Sequence, residues 1–258
     1  MRALLIGDIV GNGGVEYLKH HLGVFKRFNK IDFVVANGEN STPVGKGINR
    51  AVAHTLYNCG VDVITMGNHT FNNKDIFELF EDNFPVIRPA NMPPMTEGEG
   101  YIITNVNGYK VAVINLVGRV FMENMDCPFR TADAVIERIK DITDVIIVDF
   151  HAEATSEKLA MGYYLDGRVS VVFGTHTHVQ TADERILENG TAYITDVGMT
   201  GCQNGVLGVK KEIIIKKFLT SLPQRHEIIN DNAVLNGLIV DIDENTGKCT
   251  GAERIQVS

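Results

Sequence analysis

Two histidines one residue apart, His176 and His178 in "FGTHTHVQ", directly follow an apolar run. Alternate residues of an extended segment share a face, so this spacing offers two imidazoles to one partner. Four other apolar runs end in residues of the same kind. "ALLIGD" ends at Asp8, "FVVANGEN" at Glu39 and Asn40, "VITMGNH" at Asn68 and His69, and "VIIVDFH" at His151. In four of the five runs a glycine (Gly7, Gly38, Gly67 or Gly174) stands just before the polar residues, where a missing side chain leaves room at a crowded centre. Oxygen and nitrogen donors without sulfur suit divalent Fe, Mn, Zn or Co. The donors outnumber what one ion can use, whereas two ions about 3.5–4 Å apart, joined by a carboxylate, use them all. Singly, each residue has an ordinary reading: Asp8 as a turn or cap, Glu39 and Asn40 as a loop pair, His151 as a satisfied polar group. Their conjunction points to chemistry.

Convergence requires elements that deliver all five ends to one volume. The runs are short, nearly continuous and rich in Val and Ile, as strands buried on both faces are. Helical periodicity lies between them in "VEYLKHHLGVFKRF", "NRAVAHTLYNCG", "NKDIFELFEDN" and "TADAVIERIKDI", the last with Thr131 as its expected N-cap. Alternating strand and helix implies an α/β fold, and in such sheets ligands bind at the carboxyl ends of the strands. "YIITNVNGYKVAVINL" reads as a hairpin about Asn107-Gly108. The stretch after Gly205 reads as strands with a turn at Asp243 to Lys248, so the sheet is mixed or a second sheet packs on the first. No repeat or linker divides the chain, and 1–258 is expected to be one domain.

Composition narrows the class. Hydrophobic residues make up 44% and charged residues 22% of 258, as in a soluble globular protein. A net charge of −8 argues against extended nucleic-acid binding but not against a small phosphate-bearing substrate held at a metal. The four cysteines, Cys59, Cys127, Cys202 and Cys249, are scattered and form no CxxC, which fits a reducing, cytoplasmic setting. The N-terminus reads as a core strand rather than a signal peptide, and no run is long enough to span a membrane.

"GD", "NGEN", "GNH", "FH" and "GTHTH", in that order, resemble the metal-binding blocks of the calcineurin-like metallophosphoesterases. Val10 stands where that superfamily has its first histidine, Glu39 replaces the bridging aspartate, Thr70 follows "GNH" where an acid is usual, and Thr175 precedes "HTH". These departures, with "DIVG", "HAEATSEK" and "TDVGMTG", are similar to the YmdB-like family of 2′,3′-cyclic nucleotide phosphodiesterases. The resemblance implies a four-layered α/β/β/α sandwich with mixed sheets. It implies two divalent ions, Fe or Mn ahead of Zn, bridged by Glu39. Asp8, Asn40 and His178 would complete one ion, and Asn68, His151 and His176 the other. His69 would stay off the metals and act as proton donor.

The chemistry expected is attack on phosphorus by a hydroxide held between the ions, with His69 protonating the leaving oxygen of a small cyclic nucleotide or other phosphodiester. A phosphomonoesterase or nucleotidase on the same scaffold stays open, as does a regulatory role for the metal-filled surface, and so does homo-oligomeric assembly. Glu153 and Asp196 are candidates to orient ligand histidines. Arg119 and Lys46 are candidates to meet phosphate, against the simpler reading of Lys46 as a solvated side chain. Gly11, Gly13 and Gly14 are read as a loop that passes close to the metals.

Overall fold

The apolar runs become strands that are covered on both sides. In a computed structural model that describes residues 1–258, the chain opens with β1 (Arg2–Ile6), β2 (Asp8–Ile9), α1 (Gly11–Asn29), β3 (Phe33–Asn37), α2 (Arg50–Cys59) and β4 (Val63–Thr65). A 3-10 turn, Thr70–Asn72, precedes α3 (Asp75–Glu81), β5 (Val86–Ile87), β6 (Tyr101–Val106) and β7 (Tyr109–Val117). Then follow α4 (Pro128–Ile139), β8 (Ile146–His151), α5 (Thr155–Leu165), β9 (Val171–Thr175), β10 (Arg185–Ile186), β11 (Ala192–Ile194) and β12 (Met199–Cys202). The chain ends with α6 (Lys211–Thr220), β13 (Ala233–Ile242) and β14 (Cys249–Val257).

Two sheets result. One runs β2-β12-β13-β1-β3-β4-β5 with β14 also paired to β13, and the other runs β10-β11-β9-β8-β7-β6. Both are mixed. β1, β3, β4 and β5 are mutually parallel while β13 pairs antiparallel with β1. β7, β8, β9 and β11 are parallel while β6 and β10 are antiparallel edges.

Alternation along each strand sorts the side chains into three cores. Leu4, Ile6, Val34, Ala36 and Ile64 meet Leu18 and Leu22 of α1, Val52 and Leu56 of α2, and Ile76 and Leu79 of α3. Their neighbours Ala3, Leu5, Phe33, Val35 and Val63 face Val113, Ile147, Val171 and Phe173 across the gap between the sheets. Ala112, Ile114, Val148 and Phe150 turn outward onto Val135 and Ile139 of α4 and Met161 and Leu165 of α5. The layers are therefore helices, sheet, sheet, helices: the expected α/β/β/α sandwich. No helix is long and apolar enough to cross a membrane.

The hairpin forms as read: Val106 pairs with Tyr109, and Asn107 (φ 53) and Gly108 (φ 92) take the left-handed conformations of a two-residue turn. Other local readings are corrected. Gly11, Gly13 and Gly14 are not a loop but the first turn of α1, and a β-carbon on Gly14 would stand 2.2 Å from the Thr200 carbonyl oxygen. α4 starts a turn before Thr131, with Cys127 as cap and Pro128 in its first turn, where a missing N–H costs nothing. The isoleucines at 213–215 read as strand, yet Lys211–Thr220 is helical. β-branching is only a weak prior, and here it yields to a helix that buries Ile214.

Candidate metal centre

The carboxyl ends of β1, β3, β4, β8 and β9 arrive at the same edge of the sandwich, three from one sheet and two from the other. Asp8 and His151 are fully buried and Glu39 is 1% exposed. His151 Nε2 lies 3.0 Å from Glu39 Oε1, 3.0 Å from Asn68 Oδ1 and 3.0 Å from His176 Nδ1. The ligating atoms of Glu39, His151 and His176 lie within 4.8 Å of one another. Beside them a second group forms: His178 Nε2 is 3.3 Å from Asn40 Oδ1 and 3.7 Å from Asp8 Oδ1.

These donors fit divalent cations. One ring nitrogen can offer at most one proton, yet His151 Nε2 faces a carboxylate oxygen, an amide oxygen and a second imidazole nitrogen at the same distance. A cation among them would satisfy every lone pair at once. Asp8 Oδ1, buried, has no hydrogen-bond partner in the protein, and a buried orphan acceptor is costly. The electrostatics agree. Burial alone would lower the His151 pKa, but Glu39, Asp8 and Asp149 outweigh it and push it up to about 9. Burial opposes ionisation of Asp8, yet His178, His151 and the His176 amide hold its carboxyl below the ordinary range. The field favours positive charge at His151, while burial and then the neighbouring His151 charge push His176 down to about 4.

Local structure explains how each donor is aimed. His176 (φ 96) and His178 (φ 64) are left-handed, a conformation that side chains rarely adopt. They are not on a strand, as their spacing suggested, because β9 ends at Thr175. Asp196 holds the loop between them: its Oδ2 accepts from the Thr177 amide at 3.1 Å and the Thr177 hydroxyl at 2.7 Å, and its Oδ1 accepts from the Gly198 amide. The buried Lys158 ammonium donates to the same Oδ2 at 2.7 Å. Asp196 thus acts on the loop backbone rather than on a ligand ring. Glu153 does meet a ring, with its Oε2 2.9 Å from His176 Nε2. The Asp8 carboxylate accepts from the His176 amide at 2.9 Å, and the Asn40 amide donates to the Gly45 carbonyl at 2.9 Å, which leaves Asn40 Oδ1 facing the site. Gly67 is forced to be glycine, since a β-carbon there would stand 2.4 Å from Glu39 Oε2 and from His151 Nε2.

Besides Lys158, four contributors escaped sequence reasoning. Thr175 Oγ1 lies 2.9 Å from His151 Nδ1 and donates to Asp149 Oδ1 at 2.7 Å, and the Thr65 hydroxyl donates to Asp149 Oδ2. With Thr175 donating onward, its oxygen accepts the His151 Nδ1 proton, and Nε2 keeps its lone pair for the site. Burial raises the Asp149 carboxyl to about 6 against the pull of His151. The fourth is Asn72, whose Oδ1 sits 2.9 Å from His69 Nδ1. All four lie on strands or turns whose patterns look purely structural, and "VDFH" at 148–151 was the one available signal.

His69 stands apart from both donor groups. Its amide donates to Glu39 Oε2 at 2.8 Å, while its ring meets only Asn72 and lines an open cleft with Glu39, Asn40, His176 and His178. Lys46 also lines this cleft and Arg119 does not. The Arg119 amide is instead bound to the Glu157 carboxylate.

Two substitutions test the supports. Thr175→Val should remove the hydroxyl that meets both His151 Nδ1 and Asp149 Oδ1, with Thr65 and Asn37 still paired to Asp149 Oδ2, lowering metal affinity roughly 10–100-fold and stability by about 1–3 kcal/mol, read by calorimetric metal titration and denaturant unfolding. Lys158→Met should strand the buried Asp196 charge and cost about 3–5 kcal/mol in the same unfolding assay.

Known proteins share this chain from end to end. A 2′,3′-cyclic-nucleotide 2′-phosphodiesterase of Bacillus subtilis (strain 168) is 49% identical over 258 residues, covering 100% of this chain and 97% of the relative. The crystal structure of a hypothetical protein from Thermus thermophilus superposes with a TM-score of 0.93 at 38% identity, covering 99% of this chain and 98% of that one. That of a novel phosphatase from Mycoplasma pneumoniae gives 0.93 at 36% identity, covering 100% and 93%. The family model described as YmdB-like protein matches residues 4–255, and the chain belongs to the YmdB-like family.

Proposed function

We propose that this chain, as one domain over 1–258, is a two-metal phosphodiesterase that hydrolyses 2′,3′-cyclic nucleotides. The observation that carries the reading is two adjacent groups of buried and half-buried donors at the edge of an open cleft, with His69, whose ring meets only Asn72, beside them. The 49% identical Bacillus subtilis relative, whose name specifies that reaction, supports the substrate class. The four free cysteines support a cytoplasmic setting.

Glu39 would bridge the ions, Asn68, His151 and His176 would hold one, and Asp8, Asn40 and His178 the other. The all-nitrogen-and-oxygen donor set favours Fe or Mn, with Zn next. Bound there, divalent ions supply an acidified water and offset the negative charge that grows on the phosphoryl oxygens.

The protein's own residues do the rest. In ring opening, the oxygen of water bonds to phosphorus, one ester P–O bond breaks, and the ribose oxygen that departs takes a proton. His69 is placed to give it. Asn72 accepts from Nδ1, which fixes the tautomer and leaves Nε2 as the nitrogen that transfers the proton. The bond from the His69 amide to Glu39 Oε2 couples the acid's position to the carboxylate between the donor groups. Glu153 holds the His176 ring from the cleft side.

The deciding assay incubates metal-loaded protein with 2′,3′-cyclic AMP and resolves the products. A nucleoside monophosphate without inorganic phosphate is the expected outcome, whereas release of inorganic phosphate identifies a phosphomonoesterase. His69→Ala should keep the metals and lower kcat about 10²-fold or more. Glu39→Ala should lose both metals and most activity; metal quantitation that still finds two ions per chain contradicts bridging.

A further inference from the structure

The cleft is larger than the proposed reaction needs. Its volume is about 1180 Å³, whereas pockets for single small ligands run to roughly 300–1,000 Å³. Glu39, Asn40, His69, His176 and His178 form part of its lining. A further wall, from the loop at 43–46 and the segment 206–228, carries Val44, Lys46, Leu207, Lys217, Phe218 and His226.

Two properties of that wall call for a ligand. Its cations are unspent: neither Lys46 nor Lys217 has a carboxylate partner, and the wall's acid, Glu227, is already paired with Lys210. Lys46, Lys217 and His226 line the same cleft, and burial, then the charges of Lys217 and Lys46, lower the His226 pKa. Its apolar groups are also open, with Phe218 79% and Val44 71% exposed. An acidic chain of net charge −8 that keeps free cations and an open aromatic ring in its catalytic cleft has the combination that binds single-stranded nucleic acid, where cations track phosphate and rings stack on bases. The loop that carries Lys46 is tied to Asn40, because the Lys46 amide and carbonyl both bond the Thr42 hydroxyl and the adjacent Gly45 carbonyl accepts from Asn40.

A cyclic mononucleotide has one phosphate, which the donor groups would take, and offers nothing anionic to Lys46 and Lys217. The phosphodiester on its 5′ side, present only in a longer chain, does. A 2′,3′-cyclic phosphate requires a ribose 2′-oxygen, so that chain is RNA. We infer that the cleft takes the 3′ end of a short single-stranded RNA carrying a terminal 2′,3′-cyclic phosphate, with the preceding phosphodiester at Lys46 and Lys217 and a base on Phe218. The inference rests on the proposed phosphodiesterase activity. One water is consumed: its oxygen bonds to phosphorus, one ribose–phosphorus ester bond breaks, the freed ribose oxygen gains a proton, and the RNA is left with a linear terminal phosphate. The protein's net negative charge repels a long polyanion, so only the end is engaged.

The test compares kcat/KM of manganese-loaded protein on 2′,3′-cyclic AMP and on a triadenylate ending in a 2′,3′-cyclic phosphate. The trinucleotide should be preferred about tenfold or more at 50 mM salt. Neutralising that one additional phosphate, at a slope of about 0.7, should shrink that preference roughly 2.6-fold at 200 mM. Lys46→Ala with Lys217→Ala should bring the ratio of the two values below about two, and Phe218→Ala should lower it about tenfold, within the range of base–aromatic stacking. Turnover of the mononucleotide with no preference for the trinucleotide overturns this inference and leaves the phosphodiesterase reading standing. Turnover of neither substrate overturns both. A preference that survives in the double variant overturns the assignment to the two lysines.

Discussion

The structure turns on a concentration of buried anionic oxygen. Asp8, Glu39 and Asp149 are removed from water within one small volume, with His151 Nε2 3.0 Å from Glu39 Oε1 and His178 Nε2 3.7 Å from Asp8 Oδ1. Such a cluster is unfavourable by itself, since each buried charge loses its hydration. It is tolerable only where positive charge is supplied, and the elevated His151 pKa expresses that demand. The same field that draws a proton onto His151 is the field that would retain divalent cations.

Holding the donors in place requires help from residues that touch none of the proposed substrate. The left-handed backbone at His176 and His178 stores strain, and the rigid surroundings must over-determine it. Asp196 does this by gripping the Thr177 amide and hydroxyl, and Lys158 neutralises Asp196 where water cannot. Lys158 comes from α5, which packs on the outer face of the second sheet, so the loop from His176 to His178 is tied to a helix layer distant from the first sheet. Behind His151 the chain through Thr175 to Asp149 and Thr65 sets the ring's tautomer and links β8 to β9 and β4 across the two sheets.

The cleft joins two kinds of surface. The donor wall is built on strand ends of the sandwich and is largely buried. The other wall comes from the irregular stretch around α6, where most side chains are exposed. Ile228 ties the two together: a β-carbon on Gly45 would stand 2.7 Å from Ile228 Cδ1, and one on Gly11 would stand 2.5 Å from its Cγ2. Rigid chemistry beside an accommodating substrate surface is a common division of labour, with specificity placed on loops over a fixed scaffold.

Much of this was legible in the chain. Strands buried on both faces need continuous apolar runs, and a polar residue at the end of such a run has few reasons to be there, so "ALLIGD", "VITMGNH" and "VVFGTHTH" disclosed both the sheets and the donors they carry. Periodicity located α1 to α3, and Asn107-Gly108 located the hairpin, because those signals are local. Tertiary structure alone decided the rest. It made a helix of the Ile213–Ile215 stretch, began α1 at Gly11, and turned His176 and His178 out of the strand into left-handed conformations. It also brought Thr175, Asp149, Asn72 and Lys158 to the site. Residue type and short spacing report what a segment can do by itself. Which buried partner completes a proton's path or cancels a charge depends on contacts between residues far apart in sequence, and no local pattern records them.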